Sequence, residues 1–361
     1  MDIRRRIEER YGFPGGNVMV AASHNHAGPA VAGVGDVPRD DAYVETLTGK
    51  VVDAFGEALD RLEEAQIGLA SGFEFDISAN RRIVKRDGTV QTHGSFADPL
   101  ALCYEGPIDP EVCVLAARNR DGKLLGTMVN FTCHPTHHGG GTALSAGYPG
   151  ALAREMKARG CPVTVFLNGA SGNIHFNDPT GKSDQPRTQE AMGERLAADA
   201  ACLLDAMEWQ SEATLGARSA TVQLPFRKVT DDEVHGTTVA AQRFVDPGSY
   251  DRQMPALLER IGRMGTQPAE VQVIFVGDHA YASVPAEYFV QLGLRIKEEA
   301  WPAHALVVGH ANGMVGYVPH RDAFRRGGYE TTFAGSSRLA PEAGDMLADR
   351  AIELIAQGAP N

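Results

Sequence analysis

The chain has 361 residues, of which 43% are hydrophobic and 22% charged, and its net charge is −12. This is ordinary globular composition, with length enough for one large domain or two small ones. The acidic balance argues against a nucleic-acid-binding surface, which needs a basic patch, and against strong attraction to anionic lipid.

Residues 1–11 pattern as a short amphipathic helix. Residues 18–22 are an apolar run that reads as a short buried strand, and Gly28 and Pro29 end regular structure soon after it. A glycine-rich connection leads to a long helix over 41–65, in which Val44, Leu47, Val51, Ala54, Phe55 and Leu59 recur at helical spacing. A strand is expected at 67–75, then a polar loop holding Asn80, Arg81 and Arg82. The runs 112–117 and 124–131 flank Asn119-Arg120-Asp121-Gly122, and Asp-Gly between two apolar runs marks a hairpin. The second run leads into Cys133-His134-Pro135.

A helix is predicted over 149–159 and a strand over 163–167, which ends in Asn168-Gly169-Ala170-Ser171-Gly172-Asn173. An alanine-rich helix at 189–206 follows. The middle of the chain holds a strand at 221–226 and helical segments at 230–242 and 251–264. A second hairpin, 271–277 with 280–285, turns at Gly277-Asp278. A helix at 289–300, a strand at 305–309 and a last helix at 342–357 complete the order. No internal repeat, low-complexity tract or clear linker interrupts it. The hairpins argue against a purely parallel sheet. The predicted fold is a single domain of the α/β class (mixed α+β), with mixed β-sheets containing hairpins, flanked by helices.

No run approaches the roughly 18 apolar residues needed to span a membrane, and no signal-peptide core follows the charged N-terminus. The expectation is a cytoplasmic protein without a transmembrane segment. The cysteines, Cys103, Cys113, Cys133, Cys161 and Cys202, are odd in number and include no C-x-x-C pair. Reduced thiols fit that compartment, and a Cys103–Cys113 bridge stays open as an alternative.

The candidate chemistry begins with Ser23-His24-Asn25-His26-Ala27-Gly28-Pro29. Residues two apart in an extended chain point the same way, so His24 and His26 share a face. That suits a metal ligand with a second imidazole beside it; it also suits two surface histidines. His134 repeats the pattern of strand, histidine and Pro/Gly break. It is a natural partner for His24, and singly it also fits a satisfied core histidine. Hydrolytic metal sites usually add a carboxylate. Glu287 stands between an apolar strand and a helix, where the helix dipole favours an acid in any case. Tyr317 ends another strand, as a packed aromatic or as a phenolate recruited by a nearby cation. Ser171 lacks the G-x-S-x-G elbow of a serine nucleophile. No G-x-G-x-x-G or Walker sequence supports a nucleotide cofactor.

Taken together, these motifs resemble the catalytic domain of the neutral/alkaline (non-lysosomal) ceramidases. The family's T-H-T-H-S-G-P is similar to the stretch from Ser23 to Pro29. Its N-W-F-x-x-H-P-T resembles Asn130-Phe131-Thr132-Cys133-His134-Pro135-Thr136. Its P-G-E resembles Pro285-Ala286-Glu287. Its N-x-x-x-G-Y-V segment, ending in G-x-Y-E, resembles Asn312 to Val318 and then Gly327-Gly328-Tyr329-Glu330. An Asn-Arg dipeptide resembles Asn80-Arg81.

The resemblance implies a Zn2+ ion held by His24, His134, Glu287 and Tyr317, with His26, Arg81 and Tyr329 lining the reacting centre. It implies a place in lipid metabolism and zinc-assisted hydrolysis of an amide bond in an N-acyl substrate, either ceramide-like or a smaller N-acyl amine. Arg81 and Tyr329 would stabilise the oxyanion, and His26 would move a proton to the leaving amine. A zinc esterase or lactonase on the same centre, and a metal-binding pseudoenzyme, are the alternative readings. The expected extent is one shortened catalytic domain over residues 1–361, without the family's C-terminal immunoglobulin-like domain and without a match to its first segment. Gly147 stands where the family has an Asp, and His137, His138 and His310 are additional histidines near the motifs.

Overall fold

The computed structural model describes residues 2–360 except Val34, Gly140 and Val245. Strand alternation sets its layers. In the strand Glu111–Asn119, Val112, Val114 and Ala116 point to one side and Cys113 and Leu115 to the other, as a two-residue period requires. The first set packs on Leu152 and Met156 of helix Gly147–Ala158 and on Met192 and Leu196 of helix Gln189–Asp205. The second set meets Tyr281, Leu306 and Val308 of a second sheet. That sheet buries Val271, Val273 and Val307 outward, against Leu292 and Ile296 of helix Val290–Glu299 and Leu347 and Leu354 of helix Ala343–Ala356. Two sheets therefore lie face to face, with a pair of helices on each outer side.

The first sheet has the order Trp209–Gln210, Ala65–Phe73, Glu111–Asn119, Leu124–Phe131, Thr164–Asn168. The second has the order Leu215–Pro225, Thr266–Val276, His279–Val284, His304–Gly309. Both predicted hairpins form, and each is followed by one parallel pairing. A parallel pair needs a crossover, usually a helix. Gly147–Ala158 supplies it in one sheet and Val290–Glu299 in the other. His134 lies just past the end of Leu124–Phe131, and Glu287 just past the end of His279–Val284. The two residues occupy corresponding places, at the carboxyl ends of strands, where α/β sheets open a crevice.

The sheets come close at this end. Asn130 donates from Nδ2 to Leu167 O within its sheet and to Val307 O across the interface, both at 3.1 Å. A Cβ on Gly309 would press on Gly169 O at 2.5 Å, so the backbones meet here because residue 309 is glycine.

Several expected elements change. Residues 18–22 form no strand and are not buried in the core. They run past the 310–312 turn with one bridge, Ala21 to Ala311. His310 and Asn312 there have φ of +53° and +62°, a conformation that cannot continue a ladder. The helix expected to reach residue 65 stops at Asp60, because Ala65 already begins a strand. The segment expected around 230–242 is helical only at Asp231–His235, where Gly236 caps it with φ +67°. The segment 80–82 is no polar surface loop: Asn80, Arg81 and Arg82 are buried, in or between the short strands Ala79–Asn80 and Arg82–Lys85. All five cysteines are free thiols. No helix among the described residues is long and apolar enough to cross a membrane.

Leu152 is fully enclosed between the first sheet and its helices. Leu152→Ala should lower stability by about 2–5 kcal/mol, seen as a reduced midpoint at unchanged slope in urea unfolding.

Candidate metal centre

The Oε2 oxygen of Glu287 lies 3.1 Å from Nε2 of His134 and 3.4 Å from Nε2 of His24. The ligating atoms of the three residues all fall within 4.8 Å of one another. Each comes from a different part of the chain. His134 and Glu287 follow their two strands, and His24 is brought in by the N-terminal segment. That segment is held by bonds from Ala22 N to His310 O and from Asn312 N to Val20 O, at 3.1 and 2.8 Å.

His24 has φ +68°. Its neighbourhood with His26 thus comes from a left-handed turn and not from strand alternation. The two rings meet edge to face with centroids 4.8 Å apart, and their Nε2 atoms are 3.4 Å apart. His310, a residue without an assigned role at the level of sequence, stacks on His24 at 4.1 Å.

The hydrogen bonds of His134 decide its tautomer. Its Nδ1 lies 2.6 Å from Ser171 O and 3.0 Å from Ile174 O, so Nδ1 carries the proton and Nε2 presents a lone pair. That lone pair faces a carboxylate oxygen. Burial opposes the charge on Glu287, yet His24 and His134 hold its carboxyl well below the ordinary range. Burial, followed by Arg81, pushes His134 down to about 4. Partial burial and His24 also lower His26. Three lone-pair donors thus converge on one point with no proton of His134 to share among them. Two imidazoles and a carboxylate are a donor set that suits a zinc-like divalent cation.

Tyr317 pairs with Glu287 across the short parallel ladder Glu287–Tyr288 with Tyr317–Val318. Burial and Glu287 push its hydroxyl well above the usual range, with the Arg81 guanidinium opposing them, so it is a neutral phenol. Arg81 Nη2 donates to the Tyr317 oxygen at 3.1 Å and to Gly172 O at 2.8 Å, and its Nε donates to Glu330 at 2.8 Å. Nη1 is the nitrogen left outside these bonds. Tyr329 meets Tyr317 edge to face at 5.5 Å and is covered by Phe244, stacked at 4.6 Å. Burial raises the Tyr329 hydroxyl as well. All seven residues singled out in the sequence therefore gather at one end of the two sheets.

The carboxylate that holds Arg81, Glu330, has no role assigned at the level of sequence. Glu330 is fully buried and also accepts from Arg82 Nη1 at 2.6 Å and Thr92 Oγ1 at 2.7 Å. Arg82 is shared with Glu105. The signal for Glu330 is its position immediately after Tyr329. No local signal marks His93 and His175, whose rings lie 4.7 Å apart; burial, followed by Arg81, holds His93 at about 4. Gly147 has φ +60°, and a Cβ there would press on Pro135 O and Asn25 Nδ2 at 3.1 and 3.2 Å. An aspartate in that place would require the turn to change.

Comparison with known proteins agrees with the motifs. No family model matches the chain. A neutral ceramidase of Pseudomonas aeruginosa is 24% identical over 407 residues, covering 94% of this chain and 59% of the relative. This chain is similar to the neutral ceramidases. A solved ceramidase complexed with C2 superposes with a TM-score of 0.74 at 20% identity, over 99% of this chain and 66% of that one. The crystal structure of the P. aeruginosa neutral ceramidase gives 0.71 at 20% identity, over 100% of this chain and 66% of that one. The mixed, helix-flanked sheets are thus a fold shared with neutral ceramidase. The chain spans about three fifths of the length of the curated relative.

Glu330 titrates near 2; burial would raise it, but Arg82 and Arg81 lower it further. A carboxylate depressed in the folded state adds stability above its unfolded value of about 4.3, and this is lost as pH falls through the folded value. Glu330→Gln should cost about 3–5 kcal/mol at neutral pH. It should also flatten the fall of stability from pH 4 toward pH 2 in urea titrations.

Proposed function

We propose that the chain is a zinc-dependent amidohydrolase. It would cleave the amide bond of an N-acyl substrate, ceramide-like or a smaller N-acyl amine. The observation that carries this reading is the convergence of His24, His134 and Glu287 on one point, with His134 presenting an unprotonated Nε2. The resemblance to neutral ceramidase supplies the reaction class. The chain, residues 1–361, is read as one catalytic unit.

His24, His134 and Glu287 would hold the ion, with the Tyr317 hydroxyl as the fourth donor. When bound, the ion supplies Lewis-acid polarisation of the acyl carbonyl and lowers the pKa of water from 15.7 to about 7. The remaining work falls to the chain. His26 is neutral at pH 7, so its Nε2 can accept the proton released as a water oxygen bonds to the acyl carbon. It then delivers that proton to the amine nitrogen as the C–N bond breaks. Tyr329 keeps its hydroxyl proton, because burial raises it, and can donate a hydrogen bond to the developing oxyanion. Arg81 donates to the Tyr317 oxygen through Nη2, and with Tyr329 would stabilise the oxyanion.

A panel of N-acyl amines of varied chain length, with matched esters, run with and without chelator, tests the reading. Amide turnover abolished by chelator and restored by zinc is the expected result. Turnover of esters alone would make the chain an esterase, and bound zinc without turnover would make it a metal-binding pseudoenzyme. His24→Ala and His134→Ala should lose the metal by elemental analysis together with all turnover. His26→Ala should retain the metal and lose about 10²–10⁴ in rate. Full activity in a metal-free His24→Ala/His134→Ala variant would rule the mechanism out.

A further inference from the structure

The loop from Ser171 to Ile174 spends its backbone on the candidate centre. Ser171 O and Ile174 O both accept from His134 Nδ1. Gly172 O accepts from Arg81 Nη2, and Asn173 O accepts from Arg81 N at 2.9 Å. Four successive carbonyls thus set the ring of one candidate ligand and both the backbone and the guanidinium of Arg81 beside another. On its other side the loop grips the segment that carries Glu287. Gly172 N donates to Tyr288 O at 2.8 Å. A Cβ on Gly172 would collide with the Glu287 carbonyl, so only glycine allows this approach. The Asn173 side chain, fully buried, accepts from Val290 N at Oδ1 and donates to Gln291 Oε1 at Nδ2, both at 2.9 Å.

We infer that Asn173 is a positioning residue for the metal centre. Its amide ties the carbonyl cradle of His134 to the start of helix Val290–Glu299, and so fixes the spacing between His134 and Glu287. The inference rests on the reading of a metal centre given above. Asn173 touches neither the ligand atoms nor the place of a substrate, and it acts through the backbone on both sides. The physical basis is that ligands on two separate sheets need a common rigid reference. Here one buried amide uses both its acceptor and its donor for that purpose.

The test is Co2+ binding to the metal-free full chain, followed by d–d absorption and by competition with a chelator. Asn173→Ala removes both hydrogen bonds and should weaken binding about 10–100-fold, with a changed absorption band. Asn173→Asp keeps the acceptor for Val290 N, and Gln291 can turn its own amide to donate. It should therefore return affinity and band close to wild type. Gln291→Ala cuts the tether at a half-buried side chain and should also weaken binding. It carries the test if Asn173→Ala does not fold, which urea unfolding of the metal-free variants will show. Wild-type affinity and spectrum in Gln291→Ala, or in a folded Asn173→Ala, overturn the inference. Equal loss in Asn173→Asp and Asn173→Ala counts against the hydrogen-bond account. Failure of the wild-type chain to bind Co2+ would sink the metal reading itself, and this inference with it. Cobalt binding without amide turnover would sink only the proposed reaction.

Discussion

Everything at the candidate centre depends on keeping the Glu287 carboxylate ionised where water cannot reach it. An isolated carboxylate placed there would protonate, since a buried charge costs several kcal/mol unless it is paired. The imidazoles of His24 and His134 reverse that tendency, and Arg81 adds a fixed positive charge nearby. Burial, followed by Arg81, makes His134 a poor base, although Glu287 works the other way. The Glu287 carboxylate and the Nε2 of His134 are thus held in the states in which they donate lone pairs.

Holding those states requires a rigid surround, and the fold supplies it twice over. Each sheet ends one strand of a parallel pair just before a site residue, then turns into the crossover helix. The site therefore sits on element ends, which are more precisely placed than loops. Around it, buried polar groups are satisfied by backbone carbonyls and by one internal carboxylate, Glu330. Arg81 and Arg82 are adjacent in sequence and share Glu330, yet face different neighbours. One reaches Tyr317 and the other Glu105 and Gly327 O. That division turns a dipeptide into a strut between the small sheets and the Tyr329 turn.

Much of this was legible in the sequence. Both hairpins and the main helices follow from apolar periodicity and turn residues, since those signals are local. The seven candidate residues were legible only jointly. Each had a plain structural explanation by itself, and their order along the chain gave the resemblance to the ceramidases. Local patterns failed where a distant partner decided the outcome. Residues 18–22 look like a strand by composition, but their neighbour is a turn with positive φ. Arg81 and Arg82 look like surface charges, but Glu330 and Glu105 lie far away in sequence and bury them.

By itself the sequence determined the mixed α/β class, the two hairpins, the strand end that bears His134 and the acidic character that disfavours nucleic acid. These depend on side-chain period and composition, which every short window carries. Only the tertiary structure decided how the pieces meet: that His24 and His26 come together through a left-handed turn, that His134 is fixed as an Nε2 donor, and that Asn173 joins the two sheets' contributions. The tautomer of His134 is set by carbonyls 37 and 40 residues along the chain, and Glu330 is shared by arginines 249 and 248 residues away. No local pattern can encode them, because the hydrogen bonds that set them exist only after the sheets have packed.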